Sequence, residues 1–211
     1  MRSTFETFIP LALLLAFYTV AMVWRNFQWT RRYGKSGLAF LSGQRQDNVL
    51  HLAMTSLAGV QLAQAAVYAV RPDLVRALEP VPRAIGRPSL LIGSSVVLVG
   101  LVLINTAQRQ MGASWRMGID YSSTPELVSH GLYRYTRNPI ALGLMVAMLG
   151  FTIVLPTYLS LVMLPLAVLG LRLEVAREER HLRKAYGARY ERYRASVGRF
   201  LPVLRQTRTV L

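Results

Sequence analysis

The chain has 211 residues, 53% of them hydrophobic, and a formal net charge of +15 at pH 7. Its apolar residues are gathered into long blocks, which is typical of a polytopic membrane protein of one domain. The absence of cysteine excludes disulfides, thiolate catalysis, cysteine-ligated metals and a prenylated C-terminus.

Four apolar blocks nearly free of charge follow one another along the chain, at residues 8–24, 49–70, 89–107 and 140–173. A helix of about 20 apolar residues crosses the roughly 30 Å of hydrocarbon in a bilayer. The last block is long enough for two helices and contains Pro156, which ends a helix. We therefore expect an all-α polytopic membrane protein with about five transmembrane helices, the last two forming a tight C-terminal hairpin of short arms.

The first block also resembles a cleaved signal peptide, with a small residue at Ala21. We favour a retained span, because a cluster of cations follows the block as in a stop-transfer anchor: Arg25, Arg31, Arg32 and Lys35.

Basic residues are divided unevenly between the two sides that five spans define. One side receives only five of the 25 Lys and Arg residues: Arg2, Arg71, Arg76, Arg83 and Arg87. The positive-inside rule assigns the other side to the cytoplasm, with the N-terminus outside and the C-terminus inside, as in a bacterial inner membrane. The charge then reflects topology and attraction to anionic lipid headgroups, and no nucleic acid partner is needed.

Polar residues inside the predicted spans indicate where helices pack. Gln61 and Gln64 lie on nearly one face of the second span beside small residues, which favours interhelical hydrogen bonds over a substrate contact. Asn105 is expected at a helix end and His51 near an interface. Three histidines without a spaced partner predict no metal site.

The loop after the third span combines glycine and serine breaks with Trp115, Arg116 and Asp120. Trp115 is predicted to be an interfacial anchor. Arg116 and Asp120 either pair with each other or border a pocket built by the next segment. That segment ends in Asn138 and Pro139, which fit the N-cap and first position of a helix. Its free N–H groups suit either a bound anion or an ordinary cap among lipid phosphates.

A stripe of residues in the C-terminal tail repeats at intervals of 3 and 4 and predicts one face of a cytoplasmic amphipathic helix. It consists of Val175, Glu179, Leu182, Tyr186, Tyr190, Tyr193 and Val197. A carboxylate in such a stripe requires a partner. For Glu179 this is either a ligand or a protein group such as Arg183, four residues on. Glu178 flanks the stripe and shares a face with Glu174.

Two strings of residues now coincide. The first is Leu-Val-Ser-His-Gly-Leu-Tyr-Arg-Tyr-Thr-Arg-Asn-Pro at 127–139. The second begins Glu-Glu-Arg-His-Leu at 178 and continues with Tyr186, Gly187, Tyr190, Tyr193, Val197, Arg199 and Pro202. Together they resemble the isoprenylcysteine carboxyl methyltransferase family, including bacterial members and the related phospholipid N-methyltransferases. The resemblance covers about residues 105–203.

The resemblance implies one membrane domain, with three spans in residues 1–107, a cofactor-binding catalytic half in 108–203 and a tail in 204–211. It also implies S-adenosylmethionine held at the cytoplasmic face and a lipophilic or lipid-anchored substrate entering from the bilayer. By position, the cofactor site comprises Pro125, Glu126, Leu127, Val128, Tyr133, Arg137, Asn138, Pro139, Ala141 and Glu178, with Gly131 and Glu179 as support.

Three positions depart from the prenylcysteine-specific relatives. Asn138 stands where they usually have His, Ala141 replaces a common Tyr, and Glu174 occupies the place of a substrate-binding Arg. The methyl acceptor is therefore left open among a carboxylate, an amine and a thiol, and the sequence does not define an oligomeric state.

Methyl transfer from a sulfonium depends on alignment and on exclusion of water, so no covalent residue is required. A protonated amine acceptor would need a base, for which Asp120, Glu174 and His130 are candidates. Arg116 and Arg134 are predicted substrate or headgroup contacts. Two alternatives are a nicotinamide-dependent enzyme of the sterol reductase type, which would need more spans, and a noncatalytic lipid-binding scaffold.

Overall fold

The computed structural model describes residues 4–34, 45–81, 84–115 and 126–202, and these ranges are mainly helical. The first half contains α1 (Thr4–Tyr18), a π-helical segment (Thr19–Trp24), α2 (Arg25–Tyr33), α3 (Arg45–Val70), α4 (Pro72–Arg76) and α5 (Arg87–Met111). The second half contains α6 (Pro139–Val154), α7 (Tyr158–Tyr186) and α8 (Ala188–Ser196). Short 3₁₀ turns cover Gly112–Ser114 and Gly131–Arg134.

Four helical stretches are long and apolar enough to cross a membrane: Glu6–Arg32, Asn48–Val70, Arg87–Ser114 and Tyr158–Tyr186. The helix Pro139–Val154 is apolar but shorter. The prediction of an all-α polytopic membrane protein is confirmed. The retained first span gains support from Leu14 and Phe17, which are buried in the core.

The C-terminal hairpin differs from the expectation of two short arms. Its first arm, α6, has 16 residues, but its second arm, α7, has 29 and is about 43 Å long at 1.5 Å per residue. The turn lies around Pro156, as predicted, and the Thr157 side chain caps α7 by accepting a hydrogen bond from the Ser160 N–H at 3.1 Å. The prediction of two short arms was wrong because α7 continues without a break into the tail.

The predicted tail stripe is divided between two helices rather than lying on one. Gly187 has φ +49°, a backbone conformation that favours glycine, and it separates α7 from α8. Val175, Glu179, Tyr190 and Val197 are nevertheless buried. The period therefore identified the buried positions correctly, although the chain turns in the middle of the stripe.

Glycines allow α5 and α6 to pack at backbone distance. A Cβ added at Gly100 would lie 2.6 Å from the Gly143 carbonyl oxygen and 2.7 Å from the Ala147 nitrogen. A Cβ at Gly150 would lie 2.6 Å from the Val97 nitrogen. Such close contact between small residues is a common way for membrane helices to associate. It fixes the start of α6 relative to the end of α5.

Buried polar groups join α3 to the hairpin turn. The Gln64 Nε2 donates to Ser160 Oγ at 2.9 Å, and the Thr157 hydroxyl donates to Gln64 Oε1 at 3.3 Å. The interhelical role predicted for Gln64 is thus confirmed. Asn105 was expected at a helix end, but α5 continues to Met111, and the Asn105 side chain donates to the Leu101 carbonyl of its own helix at 2.9 Å.

Trp115 is not the exposed interfacial anchor that the sequence predicted. Its side chain is only 2% exposed and lies against Trp29, with ring centroids 6.3 Å apart. The Arg25 guanidinium lies over the Trp115 ring, 5.3 Å from its centroid, and also donates to the Gln108 carbonyl at 2.6 Å. Trp115 therefore connects the end of the first span to the end of α5.

Candidate functional site

The segment between α5 and α6 begins with a glycine turn. Gly131 has φ +59°, and an added Cβ would overlap the side chain of Gln110. The Gln110 Oε1 accepts a hydrogen bond from the Leu132 N–H at 2.8 Å. Gly131 thus holds the turn against the end of α5, and its supporting role in the cofactor site stays a prediction.

Glu179 is the centre of a buried cluster of charged and polar groups. It is 4% exposed, and its Oε1 accepts hydrogen bonds from Arg137 at 3.0 and 3.1 Å and from Asn138 Nδ2 at 3.3 Å. Its Oε2 accepts from Arg199 at 2.6 and 3.1 Å. Hydrogen bonds between charged groups of this kind are among the strongest in proteins. We call Arg137, Asn138, Glu179 and Arg199 the carboxylate clamp.

The clamp attaches the end of the described chain to the start of α6. The Arg137 N–H donates to the Gly198 carbonyl at 2.9 Å, and the Arg137 side chain donates to the carbonyls of Arg194 and Val197. Thr136 donates to the Arg199 carbonyl at 3.0 Å. A buried arginine joined to both a carboxylate and several carbonyls fixes the relative position of these segments.

Among the described residues, the donors that meet the Glu179 carboxylate are Arg137, Asn138 and Arg199. The partner suggested by spacing was wrong, because Arg183 pairs with Glu191 at 3.1 Å instead. Asn138 occupies the N-cap position and Pro139 the first turn of α6, as predicted. The Asn138 side chain does not cap the helix, however, and also donates to the Arg199 carbonyl at 3.1 Å.

Glu178, the neighbour of Glu179 in sequence, has a different environment. Its side chain is half-buried, and it forms no hydrogen bond or ion pair with the part of the chain that the structure describes. Burial raises the pKa of the nearby Tyr133 hydroxyl well above its usual value, and the Glu178 carboxylate raises this pKa further. Tyr133 therefore remains a neutral hydrogen-bond donor near Glu178 at neutral pH.

Two tyrosines of α8 line the other side of the clamp. The Tyr193 hydroxyl donates to the Tyr133 carbonyl at 2.7 Å, and the rings of Tyr190 and Tyr193 meet edge to face. Burial, followed by the Glu179 charge, raises the pKa of Tyr190 to about 12. Burial likewise raises the pKa of Tyr193. Both hydroxyls are protonated at neutral pH.

Glu174 lies one helical turn before Glu178 and faces α3. Its Oε1 is 3.5 Å from His51 Nε2, and both side chains are about one quarter exposed. This pair brings the start of the second span next to the candidate site. The sequence placed His51 only near an interface, because spacing alone cannot pair residues so far apart in the chain.

The other predicted site residues lie around the same segment. Leu127, Tyr133, Pro139 and Ala141 are buried, Val128 is half-buried, and Glu126 and Arg134 are exposed. The Glu126 carbonyl accepts from Ser114 Oγ at 3.2 Å, which ties the segment to the end of α5. Arg116, Asp120 and Pro125 lie outside the described residues.

Tyr193 and Arg199 are the residues whose contribution sequence reasoning missed. Both belong to the second string, yet neither was assigned to the site. A buried carboxylate requires a positive partner. Arg199 could have been identified by considering every cation near the stripe as that partner, rather than only the one four residues away.

Comparison with known proteins supports the resemblance. The sequence model of the phospholipid methyltransferase family matches residues 88–189. A solved structure of the eukaryotic intramembrane Ras methyltransferase, isoprenylcysteine carboxyl methyltransferase, is similar with a TM-score of 0.53 and 19% identity, covering 92% of this chain and 68% of that one. At this identity the likeness shows a shared fold. No curated protein sequence matches the chain.

Proposed function

We propose that this chain transfers a methyl group from S-adenosylmethionine to a lipophilic acceptor. Its residues 88–189 match the phospholipid methyltransferase family, and it has the fold of a membrane methyltransferase. The transfer takes place at the cytoplasmic face of a bacterial inner membrane. The chain's basic side provides the argument for that orientation.

The observation that carries the proposal is the contrast between Glu178 and Glu179. Glu179 is saturated by Arg137, Asn138 and Arg199, whereas Glu178 has no partner among the described residues. A half-buried carboxylate without a partner favours a ligand that carries hydroxyl donors or positive charge. S-adenosylmethionine carries both, and when bound it supplies a methyl group activated by a sulfonium.

The residues of the chain would hold and align this cofactor. Glu178 accepts hydrogen bonds from it, and the buried Tyr133, Leu127 and Ala141 exclude water. The carboxylate clamp keeps the start of α6 and the end of α8 at a constant separation, so the pocket wall is formed before the cofactor arrives. Such pre-organisation accounts for much of the rate of a displacement reaction.

The acceptor would enter from the bilayer and meet the cofactor near Glu174. Because Glu174 lies beside His51 and carries negative charge, it suits an amine acceptor better than a carboxylate. Arg134, which is exposed, and Arg116 are proposed substrate or headgroup contacts, and Asp120 is a proposed base.

Glu179 and its partners do not discriminate between a methyltransferase and a noncatalytic scaffold. Glu179 and the Arg-Asn-Pro helix start satisfy each other, so they do not require a ligand. The weight of the proposal rests instead on Glu178 and on the family match.

The first experiment is calorimetric titration of the detergent-purified protein with S-adenosylmethionine and with its demethylated product, and with NADPH as the competing ligand. We expect micromolar affinity for the methyl donor. Glu178→Gln should weaken it at least about tenfold, since hydrogen bonds to charged groups contribute roughly 1.5–3 kcal/mol. Glu191→Gln is the matched control, because Glu191 is exposed and pairs with Arg183 and Arg194.

Each outcome separates the alternatives. Absence of binding by folded protein would overturn the methyltransferase proposal, and binding of NADPH instead would favour a reductase. Binding that survives Glu178→Gln would leave the cofactor proposal standing but place the ligand elsewhere. Equal losses of affinity in Glu178→Gln and Glu191→Gln would show that the loss results from the change in net charge.

A further inference from the structure

One face of α7 points away from the protein along its whole length. Its apolar part consists of Val162, Leu166, Leu169 and Leu173, each about half exposed and separated by 4, 3 and 4 residues. The opposite face carries the buried residues Met163, Ala167, Leu171 and Val175. The exposed leucines and valine therefore meet the acyl chains of the bilayer.

Two cations lie further along the same face of α7. Arg180 follows Leu173 by seven residues, or two helical turns, and Lys184 follows Arg180 by four. Along the helix they lie about 33 and 39 Å from Tyr158, the first residue of α7. Because the hydrocarbon is about 30 Å thick and the headgroups begin at its edge, both cations lie at headgroup height.

Within the part of the chain that the structure describes, no acidic group neutralises the charges of Arg180 and Lys184. Both side chains are exposed, and neither has an ion-pair partner among the described residues. The neighbouring Arg183 and Arg194 differ, because both pair with Glu191, at 3.1 and 3.2 Å. The C-terminal end of α7 and the helix α8 thus carry two kinds of cation: those paired with Glu191 and those without an ion-pair partner among the described residues.

We propose that Arg180 and Lys184 form a binding site for the phosphate groups of anionic lipids, which gives the protein a shell enriched in these lipids around the cytoplasmic end of α7. Flexible basic side chains at this height reach headgroup phosphates while their aliphatic stems remain against apolar surface. The site would supply anionic lipid next to the candidate cofactor site, but it does not depend on methyl transfer.

The test is electron paramagnetic resonance of the full chain in phosphatidylcholine liposomes that contain spin-labelled phosphatidylglycerol or spin-labelled phosphatidylcholine. The ratio of motionally restricted to free label gives the relative affinity for each lipid. We expect several-fold preference for phosphatidylglycerol that weakens at high salt. The double variant Arg180→Gln, Lys184→Gln should lose most of this preference, because each cation near the headgroups contributes to it.

The matched control is Arg183→Gln, Arg194→Gln, which removes the same charge from cations that are already paired. Retained preference in this control, with loss in the Arg180, Lys184 variant, supports the site. Equal losses in both would show a response to net charge alone, and an unchanged preference in the Arg180, Lys184 variant would overturn the proposal. Exchanging the two cations, Arg180→Lys with Lys184→Arg, should preserve the preference in a folded protein.

Discussion

At the scale of single residues, Glu178 and Glu179 show how position on a helix decides the role of a side chain. The two carboxylates are adjacent in sequence but point about 100° apart on α7. Glu179 faces Arg137 and Arg199 and is 4% exposed, whereas Glu178 faces the neighbourhood of Tyr133. One carboxylate therefore joins distant segments of the chain, and the other has no partner among the described residues.

Replacement of Glu179 by Gln should destabilise the protein strongly. Arg137 has a side chain only 8% exposed and would be left as a buried charge without its carboxylate. Breaking a buried pair in this way costs about 3 kcal/mol or more of unfolding free energy. Glu191→Gln also removes a carboxylate that pairs with two arginines, but this group is exposed, and its loss should cost less than about 1 kcal/mol.

Thermal melting of the two purified variants, followed by circular dichroism, measures the difference. Similar melting temperatures for Glu179→Gln and Glu191→Gln would contradict the view that the clamp holds the C-terminal segment.

Tyr190 gives the protein a defined response to alkaline pH. Burial raises its pKa to about 12, above the value of about 10 in an unfolded chain. The folded state thus favours the protonated hydroxyl, and the resulting stability is complete below about pH 10 and is lost as the pH rises through 12. The melting temperature should fall over this range, and it should fall less in Tyr190→Phe. An identical pH profile for that variant would assign the effect to other groups.

At the scale of elements, the packing of α5 on α6 positions the candidate site. Gly100 and Gly143 let the two backbones approach closely, which sets where the segment between the helices joins each of them. That segment contains Gly131 and Tyr133. Near its end, Thr136 forms an isolated β-bridge with Gly198. The site wall is therefore fixed from one side by helix packing and from the other by the clamp.

Gly100→Leu should disrupt this packing. The first added atom already meets backbone atoms at 2.6 and 2.7 Å, and overpacking of this kind costs about 1–3 kcal/mol or more. Gly59→Leu on α3 is the control, since nothing lies within 4 Å of an added Cβ there. Melting temperature and yield of folded protein in detergent measure both variants, and equal behaviour would show that the α5–α6 contact is looser than described.

At the scale of the whole molecule, the fold places the two ends of the spans in different surroundings. The loop around α4 packs on the hairpin turn, where the Tyr158 N–H donates to the Leu78 carbonyl at 2.9 Å. The opposite end carries the clamp and the cations of α7 and α8. The asymmetry of charge predicts that this second end lies in the cytoplasm.

The natural absence of cysteine makes this orientation easy to test. Ala77→Cys and Ser196→Cys each introduce one exposed thiol, at the two ends of the spans. In intact cells, a membrane-impermeant maleimide should label Ala77→Cys and should reach Ser196→Cys only after permeabilisation. The reverse pattern would show the opposite topology and would contradict the proposal that methyl transfer takes place at the cytoplasmic face.

The sequence by itself determined the helical membrane class, the approximate spans and the turn at Pro156, because these depend on hydropathy and local backbone preference. It also indicated that Glu179 needs a partner. Only the tertiary structure identified Arg137 and Arg199 as those partners, buried Trp115, and joined His51 to Glu174. These contacts connect residues distant in the chain. Periodicity along one helix predicts which face of the helix is buried, but it does not identify the residues that pack against that face.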